Sequence, residues 1–433
     1  MEARDPELLV KVTPAMFGNE ELGKLFRLIK HHYVNNSTWV GWDVLRSIVA
    51  QKASTVDKAN YILALIDQIQ ARDVAGFSKE MLVEELTGLG KVRTLLDGIQ
   101  EVVSAAEAKD SEQALALFFS LYEKVAISGN DSVLSADLLS LAGADVKFNW
   151  RTTGIAAIDR RNGVATGSLV LLCGDTGTGK STQAHSIAIH QYNKYGEGVA
   201  YWSWEQGKKE IMARVWSHQA DVDLGNIISD ELEPHDRATV RKAKLKFLFH
   251  YDEVEMDKFV VENSHLNEEM FVRAAADKFE RKSNGFYIFD HGPDFDQLMV
   301  EMELLRSTKG VKVFVVDYLT IVPPGVDHRK LQSWECYIKM SQKLKNFARR
   351  HDVIVITPLQ FDSSEGKIRF SKNIINDADL ALFMYQDRED KELGAVTNEF
   401  AKYRNFKSIP NEPLKSFKQL RAFDKAKFIE VTF

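Results

Sequence analysis

Gly174-Asp175-Thr176-Gly177-Thr178-Gly179-Lys180-Ser181 is the stretch whose reading decides the fold. It matches G-x-x-x-x-G-K-[ST] at every fixed position, and Thr182 follows it. A buried-looking run, 168–173, precedes it, and an amphipathic stretch, 181–195, follows. A strand, a glycine-rich turn and a helix in that order form a phosphate cradle. The glycines let successive backbone N–H groups turn toward phosphate oxygens, and the helix N-terminus adds partial positive charge. Residues 174–182 are therefore the candidate nucleotide contacts. Lys180 is expected to reach the β- and γ-phosphates, and the Ser181 hydroxyl to hold Mg²⁺ beside ATP.

Outward from this loop the pattern stays α/β. Short β-branched or aromatic runs at 169–173, 199–204, 286–289, 311–316 and 353–357 alternate with amphipathic stretches, and 380–385 and 427–432 suggest further strands. Such alternation predicts a mainly parallel sheet flanked by helices, over 151–433. On the other side of the loop the chain changes character. None of the nine prolines falls between Pro14 and Pro234, which permits uninterrupted helices. Leu22, Leu25, Phe26 and Ile29 recur at helical spacing, as do Ile62, Leu65, Ile66 and Ile69. Residues 104–126 read as one long helix. The expectation is an all-α N-terminal domain over 1–128, either packing on itself or forming an interaction collar. Ser128-Gly129-Asn130-Asp131 opens a linker, 129–150, with a short helix at 132–141.

Composition excludes several classes. The 433 residues are 45% hydrophobic and 27% charged, an ordinary globular balance. Two cysteines, Cys173 and Cys336, cannot build a disulfide framework, and no C-x-x-C exists for a zinc ribbon. Cys173 reads as a buried strand thiol. No apolar run approaches a membrane span and no secretory signal is visible, so the cytoplasm is the expected location. The net charge of −6, from 56 basic and 62 acidic residues, argues against a surface that coats nucleic acid everywhere. Any contact with DNA must be confined to a small lining.

Two carboxylates complete a hydrolytic set. The run 313–316 ends in Asp317, at the edge where open α/β sheets bind ligands, and Asp317 is the second candidate Mg²⁺ holder. Tyr318 follows, so the base is not the next residue. The run 199–204 ends at Glu205, which can orient and deprotonate an attacking water.

With these residues in place, the segment 150–433 resembles the DnaB-like hexameric replicative DNA helicases, whose motor is RecA-like. Glu205-Gln206-Gly207 resembles that family's strand-end Glu and the start of its next helix. Asp317-Tyr318-Leu319 resembles its D-Y-L signature, Gln360 its sensor glutamine, Asp377-Ala378-Asp379 its D-A-D, and Lys402-Tyr403-Arg404-Asn405 its K-x-R-N. Leu359 stands where the family commonly has Ser, and Phe406-Lys407 where it commonly has Gly-Pro. The resemblance implies a RecA-like P-loop NTPase core and an arginine finger, Arg404 with Lys402 beside it, acting on a neighbouring subunit's nucleotide. It implies a homo-oligomer, a hexamer, moving 5′ to 3′ on single-stranded DNA at a replication fork, with a separate primase and a helicase loader as candidate partners. Lys367, Arg369 and Lys372 after the sensor, with Arg329 and Lys330 after Asp317, are the candidate DNA contacts. Compact size points to a phage member.

Two other functions remain open on the sequence. A RecA-type recombinase would share the motor and form filaments on DNA. A nucleotide-gated loader or assembly protein would bind partners without unwinding.

Overall fold

The computed structural model describes residues 14–36, 38–52, 55–71, 79–109, 147–325, 333–360, 374–410 and 415–430, with isolated positions at Leu9, Val12, Glu412 and between 113 and 125. The chain divides into two compact units, Met1–Asp145 and Val146–Phe433. Among the described residues no helix is long and apolar enough to cross a membrane.

The first unit is helical. Helices α1 (Glu20–Asn36), α2 (Trp42–Lys52), α3 (Val56–Gln70) and α4 (Lys79–Glu107) follow one another. Thr55 caps α3, accepting a hydrogen bond from the Lys58 N–H at 3.3 Å. Leu25 and Ile29 of α1, Leu45 and Val49 of α2 and Ile66 of α3 meet in one apolar core, as the helical spacing of the first two stripes predicts. Ile69, at the end of the second stripe, is instead exposed. The single helix expected over 104–126 is corrected. Its first residues are the last turn of the 29-residue α4, which ends at Ala108-Lys109, where Lys109 has φ 59°. A residue with left-handed backbone breaks the ladder of helical hydrogen bonds. On α4, Leu89, Val92, Leu96, Ile99 and Val103 form an exposed apolar stripe. The short helix read at 132–141 lies outside the described residues.

The second unit is built on a nine-stranded sheet. Its strands are β3 (Leu169–Gly174), β4 (Gly198–Ser203), β5 (Phe286–Phe289), β6 (Val311–Asp317), β7 (Ile354–Gln360), β8 (Leu380–Tyr385), β9 (Ala395–Tyr403), β10 (Ser416–Ala422) and β11 (Lys427–Glu430). A small antiparallel pair, β1 (Trp150–Arg151) and β2 (Val164–Ala165), precedes it, with the one-turn helix α5 (Ala156–Asp159) between the two strands. The order across the sheet is β11-β10-β9-β8-β3-β7-β6-β4-β5. The strands from β8 to β5 run parallel, and β9, β10 and β11 add an antiparallel wing.

Alternation along β3 shows why the sheet needs two covered faces. Val170 and Leu172 point into one core and Leu169, Leu171 and Cys173 into another. The first core is closed by α6 (Lys180–Tyr195), through Ala184, Ile187, Ala188 and Tyr192, and by α7 (Lys208–Ala220). The second is closed by α12 (Phe295–Lys309) and α13 (Ser333–His351), through Leu298, Met302, Met340 and Leu344. Leu171 and Leu172 are both fully buried, each contributing about 2 kcal/mol of apolar burial. The result is a three-layer RecA-like core.

One insertion departs from simple alternation. Between α7 and β5 lie α8 (Leu224–Ser229), α9 (Pro234–Leu248), α10 (Glu253–Glu262) and α11 (Glu268–Lys278). The last three enclose their own apolar cluster of Leu245, Met256, Phe259 and Phe271.

Candidate active site

β3 ends at Gly174, and the chain turns through Asp175–Gly179 into α6. Gly177 has φ 81° and Gly179 φ 90°, left-handed values that side chains with a Cβ resist. At Gly179 space is also closed. An added Cβ would lie 2.5 Å from Phe428 Cζ and 2.6 Å from Phe423 Cζ. The turn that follows β10 and the strand β11 thus bring aromatic rings under the loop.

The pairing of strands gathers the remaining groups at this edge. β7 runs parallel to β3 with Gly174 opposite Gln360, so Gln360 emerges beside the loop. Its Nε2 donates to Thr176 Oγ1 at 2.8 Å. β6 lies between β7 and β4, with Asp317 opposite Ser203. Ser181 Oγ donates to Asp317 Oδ1 at 2.8 Å, and Tyr201 OH donates to Asp317 Oδ2 at 2.5 Å. The Trp204 N–H reaches Asp317 O at 3.2 Å, which continues the pairing one step beyond β4. Glu205 comes next, exposed, and its charge acts on Lys180, Asp317 and Tyr318. The Asp317–Tyr318 peptide bond is cis.

Electrostatics mark the same place. Lys180 is 8% exposed, and its Nζ donates to Asp175 O at 2.7 Å. Burial lowers its pKa below the usual lysine value, against the pull of Asp317 and Asp175. Burial raises the Asp317 carboxyl, opposed by the hydrogen bonds from Tyr201 and Ser181 and reinforced by Glu205. A half-desolvated ammonium beside a desolvated carboxylate is a site awaiting compensating charge. Cys173, directly before the loop, is fully buried, and burial pushes its thiol up to about 12, so it is an inert strand thiol.

The donor set suits a metal–nucleotide complex. A glycine turn with no room for side chains, a buried lysine and a paired hydroxyl and carboxylate are what a phosphate and a hard divalent cation require. Ser181 and Asp317 are the two residues able to hold that cation, and residues 174–182 the phosphates.

Arg404 and Lys402 stand elsewhere. Tyr403 pairs with Leu380, and Leu380 with Val170, at the start of β3. Four residues of β3 therefore separate this end from Gly174, about 13 Å at 3.3 Å per residue. Arg404 Nη2 donates to Asn376 O at 3.2 Å, and Nη1 lies 4.0 Å from Asp379 Oδ1, with the side chain half exposed. Lys402 Nζ donates to Ile375 O at 3.2 Å and to Asn376 O. Beneath them Asp379 accepts from Leu169 N at 2.9 Å and Lys345 Nζ at 2.5 Å, while Asp377 accepts from Ser341 Oγ at 2.6 Å. Both aspartates of the D-A-D stretch therefore brace the platform that carries Arg404. The structure brings together Lys180, Ser181, Asp317, Glu205 and Gln360, and keeps Lys402 and Arg404 at the opposite edge. Lys367, Arg369, Lys372, Arg329 and Lys330 lie outside the described residues.

Tyr201 went unnoticed in the sequence. Its only signal is a phenol in an otherwise apolar strand, and that strand's alternation puts it on the face of Val313 and Val315 of β6. The bracing by Lys345 and Ser341 carried no local signal, since both come from a helix more than 30 residues before their partners.

Comparison with known proteins gives these features a family. Residues 152–284 and 244–409 match the DnaB-like helicase C terminal domain. The chain is 23% identical over 269 residues to the replicative DNA helicase DnaC of Bacillus subtilis (strain 168), covering 58% of this chain and 52% of that protein. It is 22% identical over 308 residues to the replicative DNA helicase DnaB of Buchnera aphidicola subsp. Baizongia pistaciae, covering 66% and 58%. The matches thus span little more than half the length of these relatives. Among solved structures, a DnaB-like replicative helicase described with its interactions with primase superposes with a TM-score of 0.59 at 16% identity, over 99% of this chain and 97% of that one. A separately solved ATPase domain superposes at 0.50 and 18% identity, over 68% and 96%. These likenesses show a shared fold. With the family match running through the phosphate loop, Glu205, Asp317, Gln360 and the K-x-R-N stretch, this chain belongs to the DnaB-like helicases.

Proposed function

We propose that this chain is the subunit of a ring-shaped replicative DNA helicase, which spends ATP to move along single-stranded DNA and displace the complementary strand. The observation that carries this reading is the division of the catalytic set. Lys180, Ser181, Asp317, Glu205 and Gln360 gather at one sheet edge, while Arg404 sits about 13 Å away at the other, out of reach of its own loop.

In this reading residues 174–182 hold the phosphates of ATP, and Lys180 turns from Asp175 O to the β- and γ-phosphates. Ser181 and Asp317 would hold Mg²⁺, which would offset negative charge on the phosphate oxygens. Glu205 accepts a proton from water as the water oxygen attacks γ-phosphorus and the bond to the β-phosphate oxygen breaks. Gln360, already on Thr176, senses whether the γ-phosphate is present. Arg404, steadied by Asp379 and flanked by Lys402, serves the nucleotide of the next copy. A head-to-tail interface of this kind closes into a ring when the rotation allows, and six copies is the number we propose.

DNA would pass through the ring along Lys367, Arg369 and Lys372, with Arg329 and Lys330 as a second contact, in the 5′ to 3′ direction. The net charge of −6 then belongs to an exterior that repels duplex. A primase and a helicase loader are the partners we propose, and the cytoplasm the location. The exposed stripe of α4 offers the helical unit a face for assembly.

The test is strand displacement on a forked duplex with ATP and Mg²⁺, alongside hydrolysis with and without single-stranded DNA. Stimulated hydrolysis, unwinding and closed rings in electron micrographs are expected. Helical filaments would point to a recombinase. Hydrolysis indifferent to DNA, without unwinding, would point to a loader or assembly protein.

A further inference from the structure

Tyr201 sits among apolar neighbours on β4, opposite Val315 of β6, and is 1% exposed. A phenol buried to that degree needs a hydrogen-bond partner. Asp317 supplies it, through Oδ2 at 2.5 Å. The ring cannot swing aside, because the His185 ring packs edge-on at 5.7 Å and the strand pairs on both flanks. The other carboxylate oxygen, Oδ1, meets Ser181 Oγ at 2.8 Å, at the first turn of α6 below the phosphate loop.

The two oxygens of Asp317 therefore have different roles. Oδ2 is tied to the sheet by a rigid aromatic donor, and Oδ1 is shared with the hydroxyl expected to hold the cation. We infer that Tyr201 is a positioning residue, whose phenol fixes the Asp317 carboxylate so that Oδ1 is the oxygen turned toward the divalent cation that accompanies the nucleotide. The inference rests on the reading of Ser181 and Asp317 as the cation's holders. Among the described residues Asp317 is the hydrogen-bond partner of the Tyr201 phenol, so the effect of that phenol on the cation passes through the carboxylate. Groups that orient a metal ligand from behind typically change metal affinity by about ten- to a hundredfold when removed.

Tyr201→Phe removes one oxygen and keeps the ring. The measurement is binding of a mant-labelled, non-hydrolysable ATP analogue to the full chain, titrated with Mg²⁺ and repeated in EDTA. The Mg²⁺ concentration for half-maximal effect is expected to rise about tenfold, with affinity in EDTA unchanged. A loss of structure would instead weaken both alike, and an unchanged Mg²⁺ requirement would overturn the inference. If the Phe variant does not fold, 3-fluorotyrosine at position 201 keeps the donor. Its ¹⁹F resonance should move when Mg²⁺ is added to the nucleotide-bound protein, and an unmoved resonance would equally overturn it. Wild type separates the two layers. If its nucleotide binding ignores Mg²⁺, the assignment of Ser181 and Asp317 fails. If wild type responds and the Phe variant matches it, only the role of Tyr201 falls.

Discussion

Arg404→Ala and Lys180→Ala should each be inactive alone and active when mixed. Arg404 leaves the sheet at the edge where Leu380 pairs with Tyr403, and Lys180 starts the helix at the opposite edge. No side-chain rotation closes a gap of about 13 Å of sheet plus the loop. On the proposed reading, each nucleotide site needs the loop of one copy and the arginine of the next. Removing a finger supplied in trans typically lowers hydrolysis by about a thousandfold or more. In rings assembled at random from equal parts of the two variants, a competent site requires an Arg404→Ala copy to supply the loop and a Lys180→Ala copy to supply the arginine. That pairing occurs at about one interface in four for a head-to-tail assembly. Basal hydrolysis, measured without DNA so that sites need not fire in sequence, should rise from near zero to about a quarter of wild type. The two proteins are unfolded together, refolded, and assayed by phosphate release. Activity no higher than the average of the separate variants would refute the division of the site between copies.

Four further outcomes follow from the same geometry. Gly179→Ala combines a φ of 90° with overlap against Phe423 and Phe428, and should cost about 2 kcal/mol in urea unfolding and abolish nucleotide binding. Asp317→Asn removes a carboxylate whose ionisation burial disfavours, so the nucleotide-free chain should melt no lower than wild type while Mg²⁺-dependent hydrolysis is lost; a lower melting temperature would contradict this. Burial pulls His185 down to about 3, so as pH falls below 6.5 the unfolded chain takes up a proton that the folded chain refuses. Stability should fall through that window, and in His185→Leu the slope should lessen by about 1.4 kcal/mol per pH unit. Glu303 is desolvated by burial, but hydrogen bonds from His351 and Arg306 outweigh this and hold its carboxyl down at about 2, so its contribution is present above pH 4.5 and fades between 4.5 and 2. Glu303→Gln should cost about 1–2 kcal/mol at pH 7, with the difference narrowing as pH falls through 4.5.

The parts of this molecule that the sequence made legible are those where chemistry and periodicity coincide. The loop needs glycines at fixed positions, and the strands around it need apolar side chains on both faces, so Leu169–Gly174 and Val311–Asp317 were recognisable almost to the residue. Asp317 and Glu205 were found because a polar residue ending an apolar strand is a local event, and Gln360 through the family resemblance of its strand end. The antiparallel wing was harder. Ala395–Tyr403 and Ser416–Ala422 mix Asn, Gln, Lys and Thr into their strands, because an outer antiparallel strand need not bury both faces, and neither was anticipated. The helical insertion 224–278 was also missed, since its stripes serve a private core around Phe259 and Phe271 that no motif announces. Tyr201 and Lys345 illustrate a third kind of silence. Their importance comes from what lies across the sheet or down a helix, and those partners are 116 and 34 residues away.

The aromatic pair under Gly179 has a consequence for anyone cutting this gene. The phosphate motif is complete by Ser181, yet the rings that back it, Phe423 and Phe428, come some 240 residues later. A fragment that stops before residue 423 would keep every letter of the motif and lose its floor. Such a fragment would look like a nucleotide-binding protein in any motif scan and fail to hold nucleotide at the bench.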